Sequence, residues 1–286
     1  MKNILVLVFS VFTCTLITAQ TTVEIIANDT KKPIDFATIL LPDYKKSFVA
    51  NEKGIFTVDT NKYKLPLNVI IQNFGFEKKE IILQNSTAVN VFLNPVSELL
   101  KEIIIPPANA KIKDRTIGRT NESSGLFSGE DSTYKPYKKN SNTGYEFGMQ
   151  MNTKKKFLKV KKIHWHLQGF NFKRGYFSIY FYEIVNGKPS TKIPHKKINF
   201  TLSNKTRGWI TLNVEDMDFY LNNYNKIAVI IKQQKVEFEE DTKQGSFFQN
   251  IGLTTGGTFF TRTSNNEEWL AVPASIPLYI TVDSYE

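Results

Sequence analysis

Of 286 residues only one is cysteine, three are histidine and four are methionine. The cysteine, Cys14, falls inside an apolar leader, so the chain without that leader has no thiol. A disulfide framework, a Cys-ligated metal and a cysteine nucleophile are thereby excluded. No G-x-S-x-G elbow occurs, which removes the common serine-hydrolase arrangement. Phosphate-cradling loops are missing as well, because Thr255-Gly256-Gly257-Thr258 lacks the Lys and the helix of a P-loop. Beyond the leader no apolar run approaches membrane-spanning length, so no transmembrane span is expected in the mature chain. Nothing here assembles a catalytic set or calls for a cofactor, and the chain is not expected to be an enzyme.

What the sequence does have is aromatic: 22 Phe and 12 Tyr, a balance that favours strands. Its first residues hold one cation, Lys2, then Ile4-Leu5-Val6-Leu7-Val8-Phe9, and end at Thr18-Ala19-Gln20. A short basic region, an apolar core and a small residue form a secretory signal over residues 1–19, cut after Ala19. Val11-Phe12-Thr13-Cys14 offers the alternative of a lipid-attachment site, with Thr13 large for its position. Formal net charge is +10, and loss of Lys2 leaves about +9 by the usual count. The cations are strewn, as in Lys154-Lys155-Lys156. This is either a solvated, soluble surface or an attraction for anionic polymers and envelope lipids.

Residues 20–105 are organised around Asn51-Glu52-Lys53-Gly54, a polar turn ending in Gly that leads into Ile55-Phe56-Thr57-Val58. Strands are expected at 22–27, 36–40, 47–49, 55–58, 67–71, 79–83 and 88–93. Short strands at this spacing, separated by polar turns and without a helical period, predict a β-sandwich.

Three stretches of this region, Lys32-Pro33-Ile34-Asp35-Phe36-Ala37-Thr38-Ile39, Asn51-Glu52-Lys53-Gly54-Ile55-Phe56 and Asn73-Phe74-Gly75-Phe76-Glu77, resemble the signatures of the carboxypeptidase-regulatory-like domain. Leu100-Lys101-Glu102-Ile103-Ile104-Ile105 resembles the segment that follows it in TonB-dependent receptors. The resemblance covers about eighty residues and implies a transthyretin-like sandwich serving as a non-catalytic appendage of envelope proteins in Gram-negative bacteria. Lys32 departs from the Gly common before the Pro, and Asn51 from the usual Asp, both within reach of turn chemistry. A receptor would also need a plug and a long barrel, for which the chain is too short, so a transporter is not expected.

Pro106-Pro107 ends the first domain, and the polar, Gly- and Ser-bearing residues 106–143 read as a linker, with Leu126-Phe127 and Tyr134-Lys135-Pro136-Tyr137 able to dock on a domain. Residues 144–286 then predict a second β-domain, with strands at 145–151, 157–168, 176–182, 197–202, 208–214, 227–232, 258–263 and 278–282. Ile227-Ala228-Val229-Ile230-Ile231 is apolar on both parities and predicts a central strand covered on both faces. Asn186-Gly187 marks a hairpin, and Asp216-Met217-Asp218 a helical turn. The order resembles jelly-roll accessory domains of secreted bacterial proteins. The fold class expected is all-β: a transthyretin-like sandwich followed by a jelly-roll-like one.

Period-two alternation sends Ile163, Trp165 and Leu167 one way and His164 and His166 the other, and likewise separates Phe177, Ile179 and Phe181 from Tyr176, Tyr180 and Tyr182. A face bearing His164, His166, Tyr176, Tyr180 and Tyr182 is the candidate ligand-binding surface, since tyrosine rings on a sheet stack on sugars while imidazoles bond hydroxyls. The alternative is a face covered by loops or by the first domain. His164 and His166 with His195 or Glu183 have some of the donors of a zinc site, and Asp216 with Asp218 some of those of a calcium site, but neither set is complete, so no metal is expected. The sequence therefore predicts an exported, non-catalytic envelope protein, periplasmic, outer-membrane-associated or surface-exposed. It binds a glycan or anionic polymer through the second sandwich; the alternative is an assembly component docking on an outer-membrane protein. The secretory signal argues against nucleic acid.

Overall fold

A computed structural model describes residues 20–85, 88–96, 106, 109–122, 126–131, 144–154, 156–239, 245–263 and 267–286. The leader with Cys14, the receptor-like segment 100–105 and Tyr134 to Tyr137 lie outside the described residues. Among the described residues no helix is long and apolar enough to cross a membrane.

The first unit has seven strands: β1 Gln20–Ala27, β2 Thr38–Leu41, β3 Lys46–Val49, β4 Ile55–Asp59, β5 Leu67–Gln72, β6 Lys79–Leu83 and β7 Val89–Leu93. They form two sheets, β4-β1-β7 and β3-β2-β5-β6, with β1 and β7 parallel. Every expected strand is present. Alternation supplies the core: Val23 and Ile25 of β1 meet Ile39, Val69 and Ile71 of the other sheet, all buried. The Asn51 turn joins β3 to β4 and so crosses from one sheet to the other. The Asn51 side-chain oxygen accepts from the backbone N–H of Lys53 and of Ile55, each at 2.9 Å. Gly54 sits at φ +72°, where an added Cβ would lie 2.7 Å from the Ile25 carbonyl oxygen.

The second unit begins earlier than expected. Its strands are β8 Ile112–Gly118, β9 Leu126–Asp131, β10 Glu146–Asn152, β11 Phe157–Leu167, β12 Gly169–Phe170, β13 Arg174–Val185, β14 Lys188–Lys192, β15 Ile198–Ser203 and β16 Gly208–Asn213. They continue with β17 Tyr220–Leu221, β18 Lys226–Glu237, β19 Ser246–Leu253, β20 Phe259–Arg262, β21 Leu270–Val272, β22 Ala274–Ser275 and β23 Leu278–Tyr285. Two of these correct the linker reading of residues 106–143: β8 pairs along β23, and β9 along β19. A strand rich in charge, such as Lys113-Asp114-Arg115, is what an exposed sheet edge uses, and in sequence it looks like a connection.

Two sheets face each other, β14-β13-β18-β10-β20-β21 and β16-β11-β23-β8, with a smaller sheet around β19 at one end. The long strands β10, β11, β13, β16 and β18 alternate between the two, a jelly-roll-like winding. Phe147, Phe177, Phe181, Val229 and Ile231 from the first sheet pack against Leu158, Ile163 and Trp165 from the second. The Trp165 indole N–H donates to the Gln249 side-chain oxygen at 2.6 Å, satisfying the one polar atom of that ring in the core. Asn186 and Gly187, at φ 52° and 76°, make the tight β13–β14 hairpin. Glu215–Met217 is a single 3-10 turn where a helical turn was expected.

The two units are in contact. The first unit lies on the outer face of the β13-β18-β10 sheet, where Asp35 accepts from Lys197 and, at 3.1 Å, from the Asn199 side-chain amide. Lys235 pairs with Glu52 at 3.5 Å. Phe36 meets Tyr176, and Phe74 meets Tyr180, each with ring centres 5.5 Å apart.

Candidate functional site

Alternation along β13 works as the sequence indicates: Phe177, Ile179 and Phe181 are buried inward and Tyr176, Tyr180 and Tyr182 point to the other face. That face is not open sheet. Tyr180 and Tyr182 keep 5% and 3% of their surface, covered by Phe74 of the first unit and by Trp269. Ala228 and Ile230 of β18 and Phe260 of β20 complete this second apolar layer, which is why β18 is apolar on both parities. Tyr176 is tied down separately, its hydroxyl donating to Glu237 at 3.0 Å.

The histidines do not share this face, which corrects the expected common surface. β11 belongs to the opposite sheet, so its outward side is the far side of the sandwich. There the His164 ring stacks on Tyr279 at 4.3 Å and its Nδ1 lies 2.9 Å from the Thr211 hydroxyl, while His166 Nε2 lies 3.2 Å from Glu122. Burial lowers the His164 pKa. Parity gives inward or outward within one strand, but not which sheet a strand joins. The zinc partners considered, His195 and Glu183, lie on the other layer, and among the described residues no group of three or more His, Cys, Asp or Glu side chains is placed to hold a metal. Asp218 pairs instead with Lys159 at 3.0 Å.

Between the first unit and the tyrosine face a cleft of about 640 Å³ remains. Its walls are aromatic: Phe36, Phe74 and Phe76 from the first unit, and Tyr180, Tyr182 and Trp269 from the second. Its charged lining is Lys78, Lys192, Lys232 and Arg262, with no carboxylate among the described lining residues. Lys78 pairs outward with Glu80 at 2.8 Å. Arg262 lies 4.1 Å from the Trp269 ring centre and donates through Nε to the fully buried Glu146 at 2.7 Å. Lys232, also buried, is 3.9 Å from the other Glu146 oxygen and 3.4 Å from the Thr38 hydroxyl of the first unit. Lys192 holds its ammonium 3.9 Å from the Tyr180 ring centre, with Phe74 and Tyr182 at 5.4 and 5.7 Å.

Burial sets the electrostatics of this cleft. Desolvation pushes the Lys192 pKa down to about 8, against the pull of Glu146, and lowers that of Lys232. The Tyr180 and Tyr182 hydroxyls are raised by the same cause. His195 is packed among Phe74, Phe181 and Phe219, and burial pushes it down to about 4 although its Nδ1 bonds the Lys196 carbonyl at 2.6 Å. Sequence reasoning missed Lys192, Lys232, Arg262, Glu146, Phe74 and Trp269. The available signal was Lys232, a charge on the same parity as Ala228 and Ile230 directly after the apolar run Ile227–Ile231.

No protein-family model matches the chain, and no curated protein sequence matches it significantly. Among solved structures, the cysteine protease and lectin-like domains of Cwp84, a surface-layer-associated protein of Clostridium difficile, align at 10% identity over 50% of this chain and 32% of that one, with a TM-score of 0.35. Clostridial Cwp84 after propeptide cleavage aligns at 8% identity over 92% of this chain and 61% of that one, with a TM-score of 0.39. A DUF3823 family protein from Bacteroides ovatus aligns at 7% identity over 90% and 98%, with a TM-score of 0.21. The chain thus spans about a third and three-fifths of the two Cwp84 structures. What these likenesses share with this chain is β-structure.

Proposed function

We propose that the chain is an exported, non-catalytic binding protein of a bacterial envelope, with the first unit a carboxypeptidase-regulatory-like domain and the ligand a carbohydrate seated between the two units. The observation that supports this is the 640 Å³ cleft at the unit boundary, walled by six aromatic rings with polar groups at its edges. Ligand sites favour such boundaries, and faces of Tyr and Trp bury the apolar side of a sugar ring while side-chain donors bond its hydroxyls. The reading departs from a flat tyrosine platform, because both units supply the walls.

The test is a thermal-shift and calorimetric screen of the full chain against matched neutral and acidic glycans. A ligand at a hundred times its dissociation constant adds about 2.7 kcal/mol to stability. Ser190 is exposed on β14 and lines the cleft mouth, so Ser190→Trp blocks entry without touching the core. It is expected to abolish the shift while leaving the unliganded melting temperature unchanged. Binding unaffected by Ser190→Trp places the ligand elsewhere and overturns the assignment.

A further inference from the structure

Among the described residues four cations and no carboxylate line the cleft, and one of them, Lys78, is paired outward with Glu80. The other three, Lys192, Lys232 and Arg262, lie around the buried acid Glu146. A cation-rich lining walled by low-dielectric rings is the situation in which a bound anion gains most. Lys192 reaches this lining from β14, with its ammonium 5.7 Å from the Tyr182 ring centre, and Arg262 reaches it from β20.

We infer that the cleft holds an anion subsite, formed by Lys192 and Arg262 with Lys232 behind them, and that the ligand is an acidic glycan carrying a carboxylate or sulfate. The inference rests on the glycan reading given above. Glu146 fixes the Arg262 guanidinium and Trp269 backs it, a preorganised cation that needs no rearrangement to receive the acid group. Lys192 makes the subsite responsive to pH. The charged and titratable groups facing it are Glu146, Lys232 and Arg262 of its own unit, the Tyr180 and Tyr182 hydroxyls, His195, and Lys78 from the first unit. Burial pushes Lys192 down to about 8, so its share of the anion affinity is lost as pH rises through that point.

Two probes on the full chain test this. The first is inorganic sulfate against chloride at matched ionic strength, followed by melting temperature and tryptophan fluorescence, since Trp269 backs Arg262. Sulfate is expected to raise the melting temperature and perturb the fluorescence, and Lys192→Met to lose both responses. Lys192→Arg, whose charge persists at alkaline pH, is expected to keep them and to lose the decline above pH 8. The second probe is a galacturonate oligomer against its methyl ester, the same sugars without the charge. The acid is expected to bind between about tenfold and a hundredfold tighter, the range for a charged hydrogen-bond partner.

Equal affinities for acid and ester, or a sulfate response no larger than that of chloride, overturn the anion subsite and leave the glycan reading standing. A sulfate response without binding of any glycan, neutral or acidic, overturns the glycan reading and with it the assignment of the acid group to a sugar. A sulfate response that survives in Lys192→Met moves the anion away from the cleft and also overturns the inference.

Discussion

At the scale of single residues, His195 shows how position alters a side chain the sequence presents as ordinary. Its imidazole lies among Phe74, Phe181 and Phe219, and its pKa of about 4 is below the ordinary 6.5. Between those values the unfolded chain binds the proton more readily than the folded one. Stability is therefore lost as pH falls from 6.5 towards 4, and the loss levels off below that. The difference corresponds to roughly 3 kcal/mol. Denaturant titrations of the wild type and of His195→Phe between pH 7 and 4 should differ in slope by about this amount, the variant being the flatter; parallel curves would show that His195 does not hold its neutral form. None of this was legible in the sequence, where His195 figured only as a possible third zinc ligand. A histidine after Pro194 gives no sign of the three rings that enclose it, which come from distant parts of the chain.

Among secondary-structure elements, the turns were the most legible and the edge strands the least. Asn51 acts by accepting two backbone N–H groups, chemistry that depends on one side chain and its next four neighbours. Asn51→Ala is expected to cost about 1–2 kcal/mol of unfolding free energy. Gly54→Ala, strained at positive φ and pressed against the Ile25 carbonyl, should cost more than about 1 kcal/mol. A variant of either kind with an unchanged denaturation midpoint would remove the turn from the organising role given to it. β8 is the contrasting case. Its support comes from β23, at the other end of the second unit in sequence, so no local pattern could announce it. Lys111 and Glu286 exchange both backbone bonds, which places Lys113, Arg115 and Ile117 in hydrogen-bonded pairs and turns Ile112, Asp114 and Thr116 to the open side. Hydrogen exchange should show that alternation, slow at 113, 115 and 117 and fast at 112, 114 and 116. Uniformly fast exchange would return the segment to the linker that its composition suggests.

For the whole molecule, the all-β class, the seven strands of the first sandwich and the double coverage of β18 could be read from alternation. What covers a face could not. An outward parity looks the same whether it meets water or another unit, so Tyr180 and Tyr182 carried no mark of the first unit lying over them. The contact between units is aromatic at its centre and ionic at its margin, with Phe74 on Tyr180 and Asp35 on Lys197. Phe74→Asp places a charge against Tyr180 and His195, where burial makes it costly. The expected result is parting of the units: a larger radius of gyration by solution scattering, and two calorimetric transitions replacing one. A variant with unaltered scattering would show that the margin alone holds them.

The pairing of β8 with β23 also sets an order of events during synthesis. β8 is made early, and its partner Leu278–Tyr285 emerges only after most of the second unit has left the ribosome. At the usual 5–20 residues per second the wait is roughly 10–30 s. Throughout it Ile112 to Gly118 is a strand with nothing to pair with on either side, and its run of Lys113, Asp114 and Arg115 keeps it in solution. The charges that hide the strand from a reader of the sequence are, on the nascent chain, what protects it from the wrong neighbour.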